Sequence, residues 1–112
     1  MHELSVITAL IDAVAHYQHA EHDSDVGAIS VEVGQLTCVD KDRLQFCFDM
    51  VKEDAGLATA ALRLETVPAV ARCLVCYSEF TVSRTGEPCP CGSYQYELLS
   101  GNELNLTKIE FV

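Results

Sequence analysis

The chain has 112 residues, enough for one compact domain with a small appendage. It is 49% hydrophobic, so a real core can be buried, and 7 basic against 17 acidic residues leave a formal net charge of −10. Such a surface repels phosphate backbones and anionic membranes, which counts against nucleic-acid and membrane binding and favours cations or basic partner surfaces.

Residues 3–20 predict an amphipathic helix, because Leu4, Ile7, Leu10, Ile11 and Val14 follow the i, i+3, i+4, i+7 spacing of a single apolar stripe. Turn formers at 22–27 break it. Residues 28–34 then alternate, with Ile29, Val31 and Val33 on one side and Ser30 and Glu32 on the other, as a half-buried strand does. A second helix fits 41–55, with Asp40 capping its first amides, Gly56 ending it, and Leu44, Cys47, Phe48 and Val51 as its stripe. Residues 60–67 alternate again before Pro68 stops them. The stretch 69–97 differs in character: it holds four of the six cysteines and little helical periodicity. Strand-like sequence returns at Leu104, Leu106, Ile109 and Phe111, with a slip of phase near Lys108.

The expected fold is α+β: a small β-sheet covered on one face by two amphipathic helices, with a four-cysteine, zinc-ribbon-like module inserted before the last strand. The implied division is 1–68 plus 98–112 for the α/β domain and 69–97 for the module.

No apolar run approaches the length of a bilayer span, and Glu3, Asp12 and His16 interrupt the opening stretch where a signal peptide needs a continuous apolar core. The expected location is therefore the cytoplasm. Thiols stay reduced there, so the cysteines argue for metal or reactivity before disulfides.

The module's ligand candidates are Cys73, Cys76, Cys89 and Cys91, arranged as C-x-x-C, a twelve-residue gap, then C-x-C. Four thiolates at about 2.3 Å fill the tetrahedral shell of Zn²⁺ and leave no open position, so the ion would be structural rather than catalytic. The gap can form a short hairpin with "RTGEP" (84–88) as its turn, and Gly92 lets a backbone N–H approach the last sulfur. So short a segment has almost no apolar core of its own and needs the metal to hold its shape. Free thiols or a redox pair are the other reading of a C-x-x-C. Cys47 reads as a small buried hydrophobe and Cys38 as a buried or loop thiol.

The chain opens "MHELS", its first strand ends in "EVGQL", its second helix carries "FCFDMV", its cysteine module ends in "CPCGS", and it closes on "ELNLTKIEFV". Over essentially its whole length it resembles the HypA/HybF family of nickel-delivery proteins for [NiFe]-hydrogenase maturation. The resemblance implies a metallochaperone, not an enzyme. It implies nickel at the N-terminus, on His2 with the Met1 amine and local backbone and with Glu3 tuning or joining the site, and structural zinc on Cys73, Cys76, Cys89 and Cys91. It also implies a HypB-type GTPase and a hydrogenase large-subunit precursor as partners. The chain departs from the family at Cys89-Pro90-Cys91, where the family commonly has Cys-Pro-x-Cys. The chemistry agrees with the N-terminal assignment, since Ni²⁺ accepts amines, imidazoles and deprotonated amides, and an amine followed by His2 can close chelate rings around one ion.

Read from the residues alone, His2 is an ordinary surface histidine and Glu3 a favourable first-turn charge. His16, His19 and His22 recur every three residues and offer either a weak second metal site or a solvated helix end. Two other functional classes stay open: a zinc-ribbon adaptor with an inert N-terminus, and a thiol-based redox protein.

Overall fold

A computed structural model describes residues 3–20 and 25–112. Its elements are α1 (Glu3–Ala20), β1 (Val26–Gly34), α2 (Lys41–Val51), β2 (Ala61–Val67), β3 (Ala69–Cys73), β4 (Glu79–Val82), β5 (Tyr96–Ser100) and β6 (Leu104–Phe111). The strands form two three-stranded sheets, ordered β2-β1-β6 and β4-β3-β5. The chain divides into two compact units, one of residues 1–31, 38–64 and 106–112, the other of residues 32–37 and 65–105.

In the first unit the helices form where the apolar spacing predicts, and they pack against each other. Ile7, Leu10 and Val14 are the buried positions of α1, whereas Leu4 is exposed because it lies off that stripe at the helix start. Asp40 caps α2: its Oδ1 accepts the N–H groups of Asp42 and Arg43 at 3.0 and 3.2 Å, which satisfies two of the free amides at the helix start. The regular helix ends at Val51, short of the expected 55, but the chain keeps turning. The N–H of Leu57 bonds the Lys52 carbonyl and that of Gly56 bonds Glu53, around Gly56 at φ 76°. This is the Schellman stop that a glycine there makes available, and it leaves Leu57 buried. Leu44 and Phe48 are wholly buried, while Cys47 and Val51 sit half-buried at the edge of the stripe.

β1 begins two residues earlier than its alternation predicts. Ile29 and Val31 are buried, and so are Val26 and Ala28 of the opposite parity, so the start of this strand is covered on both faces. The Val112 N–H bonds the Asp25 carbonyl at 2.8 Å, and Thr107 Oγ1 donates to the Ser30 carbonyl at 3.2 Å, which places β6 antiparallel along β1. The phase slip in β6 is visible as two consecutive exposed residues, Thr107 and Lys108.

The second unit holds a sheet that alternation does not reveal. β3 is central and antiparallel to both neighbours, pairing Ala71 with Phe80 on β4 and with Leu98 on β5. Ala69, Ala71 and Val82 form its small core, flanked by Leu36, Phe80, Tyr96 and Leu98. The hairpin expected across the cysteine gap is instead β3–β4, which closes around the first cysteine pair, and "RTGEP" turns the chain from β4 into the second pair. There the Glu87 N–H bonds the Arg84 carbonyl at 3.3 Å, with Gly86 at φ 86°. Gly101, at φ 113°, joins β5 to β6. A Cβ there would lie 2.5 Å from that of Ala69, so the position requires glycine on two counts.

Candidate metal centre

The two cysteine pairs occupy two turns of similar design. In the first, "CLVCYS" links β3 to β4; the N–H groups of Val75 and Cys76 both point at Cys73 Sγ at 3.4 Å. Tyr77 then adopts the left-handed conformation (φ 62°), and the Ser78 N–H faces Cys76 Sγ. In the second, "CPCGS" leads into β5; the Cys91 N–H points at Cys89 Sγ at 3.5 Å, Gly92 takes the left-handed position (φ 94°), and the Ser93 N–H faces Cys91 Sγ. The Gly92 N–H bonds the Cys89 carbonyl at 2.7 Å, so the amide that reaches the last sulfur is that of Ser93 and not that of Gly92. Each pair therefore ends in Cys, a left-handed residue and Ser, which turns a donor back onto the sulfur. That repeat stands in the sequence as Cys76-Tyr77-Ser78 and Cys91-Gly92-Ser93 and is the signal that could have found both serines.

These turns bring the four sulfurs together. Cys73 Sγ lies 3.7 Å from Cys91 Sγ, Cys76 Sγ lies 3.6 Å from Cys89 Sγ, and all four fall within 4.8 Å of one another. The separations are far too long for a disulfide. A tetrahedron of sulfurs at about 2.3 Å from zinc has edges of about 3.8 Å, and the two measured edges of 3.7 and 3.6 Å lie close to that. Cys73 and Cys89 are buried, Cys76 and Cys91 exposed. The one-residue shortening of the second pair has not prevented convergence.

The electrostatics also call for a cation. The N–H groups of Cys76 and Val75 hold the Cys73 thiol down at about 6. The Ser78 hydroxyl and N–H lower Cys76. Cys91 receives the lowering Ser93 N–H, but the neighbouring sulfurs of Cys89, Cys73 and Cys76, with desolvation, push it up to about 12. Four thiolates this close repel one another unless a positive ion sits among them. The set fits a structural Zn²⁺, and with all four positions filled by sulfur it offers no place for substrate or water.

The loop between the pairs is tied down by contacts that spacing could not show. The Tyr96 hydroxyl donates to the Glu87 carbonyl at 2.8 Å, and its ring meets Phe80 edge-on at 5.1 Å. Arg72 on β3 lies between Glu79 on β4 at 3.0 Å and Glu97 on β5 at 3.9 Å, so the module's charges are largely paired across its own strands.

At the other candidate site, Met1 and His2 lie outside the described residues. Glu3 is described, and it is buried, with 5% of its surface exposed. Its Oε2 accepts the Asp40 N–H at 3.2 Å, and that bond, aided by Arg43, holds the carboxyl below its ordinary value. The first-turn charge at Glu3 is thus also a clasp between the start of α1 and the cap of α2. His16 is exposed beside Tyr17; His22 and the His19 side chain lie outside what is described. Cys38 is exposed and Cys47 half-buried, and among the described residues neither joins a group of potential ligands.

Fold and site together define a small α+β protein with a four-cysteine cluster that fits a structural metal ion. The chain belongs to the HypA family, described as "Hydrogenase/urease nickel incorporation, metallochaperone", whose sequence profile matches residues 1–111. This is a family of metallochaperones and maturation factors, not of enzymes. Hydrogenase maturation factor HypA of Nostoc sp. is 32% identical over 110 residues, covering 98% of this chain and 95% of the relative. That of Geotalea uraniireducens is 34% identical over 111 residues and 98% of each. The solution structure of the Ni metallochaperone HypA from Helicobacter pylori matches with a TM-score of 0.70 at 23% identity, over 100% of this chain and 98% of that one. A second HypA solution structure matches at 0.73 and 22% identity, over 100% and 97%. The expected α+β class, with two helices and a four-cysteine cluster ahead of the last strand, is the one found, though with two small sheets in place of one. No described helix is long and apolar enough to cross a membrane.

Proposed function

We propose that the protein binds Ni²⁺ at its N-terminus and delivers it to a [NiFe]-hydrogenase large-subunit precursor during maturation. The ligands would be the Met1 amine, the His2 imidazole and nearby backbone nitrogens, a set that suits nickel and whose members can be exchanged one at a time. Glu3 supports this site by anchoring it. Its carboxylate is engaged by the Asp40 N–H, which fixes the first described residue beside the proposed ligands. Cys73, Cys76, Cys89 and Cys91 would hold zinc and thereby shape the second unit for partner contact. The partners on this reading are a HypB-type GTPase and the precursor, and the setting is the cytoplasm, where the thiols remain reduced.

The observation that carries the proposal is the family match from residue 1 to 111, which takes in both Met1-His2-Glu3 and the cysteine cluster. The test is nickel titration of the full chain with its native N-terminus, beside His2→Ala and beside a form carrying extra residues before Met1, with zinc determined in each. Stoichiometric nickel binding should disappear in both altered forms while zinc remains. Equal binding by all three would move the site elsewhere, with His16, His19 and His22 the first positions to test.

A further inference from the structure

The two cysteine turns repeat each other, but they do not treat their exposed sulfurs alike. After Cys76, Ser78 presents both of its donors to the sulfur: its N–H, and its hydroxyl with Oγ 2.9 Å from Sγ. After Cys91, Ser93 presents its N–H, while its hydroxyl oxygen sits where it accepts the Gln95 N–H at 3.0 Å and makes no hydrogen bond to the sulfur among the described residues. The buried pair differs in the same direction. Cys73 receives two amides, from Val75 and Cys76, whereas Cys89 receives one, from Cys91, because the shortened turn spends the Gly92 amide on a carbonyl. Counted by hydrogen bonds, the first pair collects three, from the Val75 and Cys76 amides and the Ser78 hydroxyl, and the second collects one, from the Cys91 amide; each exposed sulfur also faces a serine N–H.

Hydrogen bonds to a thiolate stabilise its charge and draw density away from the sulfur lone pairs, so a metal-bound sulfur with fewer donors is the better nucleophile. Accessibility selects between the two sulfurs with single donors: Cys89 is buried and Cys91 exposed. We propose that Cys91 is the reactive sulfur of the zinc-loaded centre, the modification site at which soft carbon electrophiles attack and from which the ion is released. With iodoacetamide the step is a displacement: Sγ forms a bond to the methylene carbon, the carbon–iodine bond breaks, and iodide leaves. The zinc-bound thiolate becomes a neutral thioether, a weak ligand that water replaces. Ser78 is the positioning residue that protects the equivalent place on the first turn. This inference rests on the zinc reading of the cluster.

The test uses full-length protein whose zinc content is measured first. Protein carrying one zinc is treated with limiting iodoacetamide, labelled peptides are quantified by mass spectrometry, and released zinc is followed with a chromogenic chelator. Cys38, an exposed thiol outside the cluster, labels independently and is counted separately. Within the cluster, label should enter Cys91 several-fold faster than Cys76, and zinc release should track the Cys91 label. In Ser78→Ala, which removes the hydroxyl and keeps the backbone, Cys76 labelling should rise toward that of Cys91 while the Cys91 rate stays the same. Equal labelling of Cys76 and Cys91 in the parent protein, or Cys76 reacting first, overturns the proposal while leaving the zinc reading intact. Protein that carries no zinc before treatment overturns both.

Discussion

Among the described residues of 1–31, 38–64 and 106–112, the wholly buried side chains include Phe48, Ile7, Ile29, Leu44 and Val14, drawn from both helices and a strand. In 32–37 and 65–105 the corresponding core is Ala69, Ala71 and Val82, and Cys73 and Cys89 are buried as well. The first unit can be held by apolar burial, at roughly 1.5–3 kcal/mol for each large side chain. The second cannot, because alanines bury little area. What it has instead is a cluster of four sulfurs that cannot all carry charge until a cation enters it. Apolar burial and a metal-binding cluster are two ways to hold a small unit together, and this chain has the first in one unit and the residues for the second in the other.

The sharpest way to break that contrast is to remove the metal. Chelation, or Cys73→Ala, should melt the second unit, since structural zinc contributes about 10–16 kcal/mol of apparent binding free energy to such modules. Amide resonances of residues 69–100 should collapse toward random-coil shifts while the helical circular dichroism of α1 and α2 persists. Loss of the helical signal as well would show that the first unit depends on the metal too.

The converse variant is Phe48→Ala. It empties a wholly buried position of the first unit and should cost about 3–5 kcal/mol of that unit's stability. Zinc stoichiometry should stay the same, by metal analysis of the folded fraction.

Legibility in the sequence divides along the same line. The helices, the Asp40 cap, the Gly56 stop and the first strands are readable because each depends on residues within a turn or two of itself. The four clustered cysteines are readable because paired cysteines are a local signal. The β4-β3-β5 sheet is not, because its core residues are mostly alanines and its strands are four and five residues long, too short and too weakly apolar for alternation to stand out. Ser78 and Ser93 are marked only by the repeated Cys-x-Ser spacing, which gains meaning once the chain is known to turn back onto the sulfur. The burial of Glu3 is not readable because its partner lies 37 residues away, at a helix cap that is itself legible.

Acid sharpens the comparison further. Protons compete with the metal for the sulfurs, so zinc affinity must fall as pH falls, and the second unit should be lost first on acidification. Glu3 acts in the first unit at lower pH. Its folded pKa is depressed below the ordinary 4.5, so its contribution is fully present above that value and disappears as pH falls through the folded pKa beneath it. Two acid transitions are expected. Zinc release comes first, followed by metal analysis; then the helical signal changes below about pH 4.5, in a step that Glu3→Gln shifts or removes. In the cap beside it, Asp40→Ala should destabilise the first unit by about 1 kcal/mol, read as a lower midpoint in urea with zinc retained.

The smallest effect separates the two cysteine turns themselves. Both need a residue in the left-handed conformation before the serine, and only the second has glycine there; the first has Tyr77, a bulky side chain 75% exposed. A non-glycine residue in that conformation costs about 1 kcal/mol, and the exposed ring has little burial to offset it. Tyr77→Gly should therefore tighten the first turn by up to about 1 kcal/mol, while Gly92→Ala should weaken the second by a similar amount. Zinc retention against a competing chelator reads both changes on one scale, and the two variants should move it in opposite directions. If Tyr77→Gly weakens retention instead, the ring contributes contacts that outweigh its strained backbone, and the two turns differ by more than the number of hydrogen bonds they lend to sulfur.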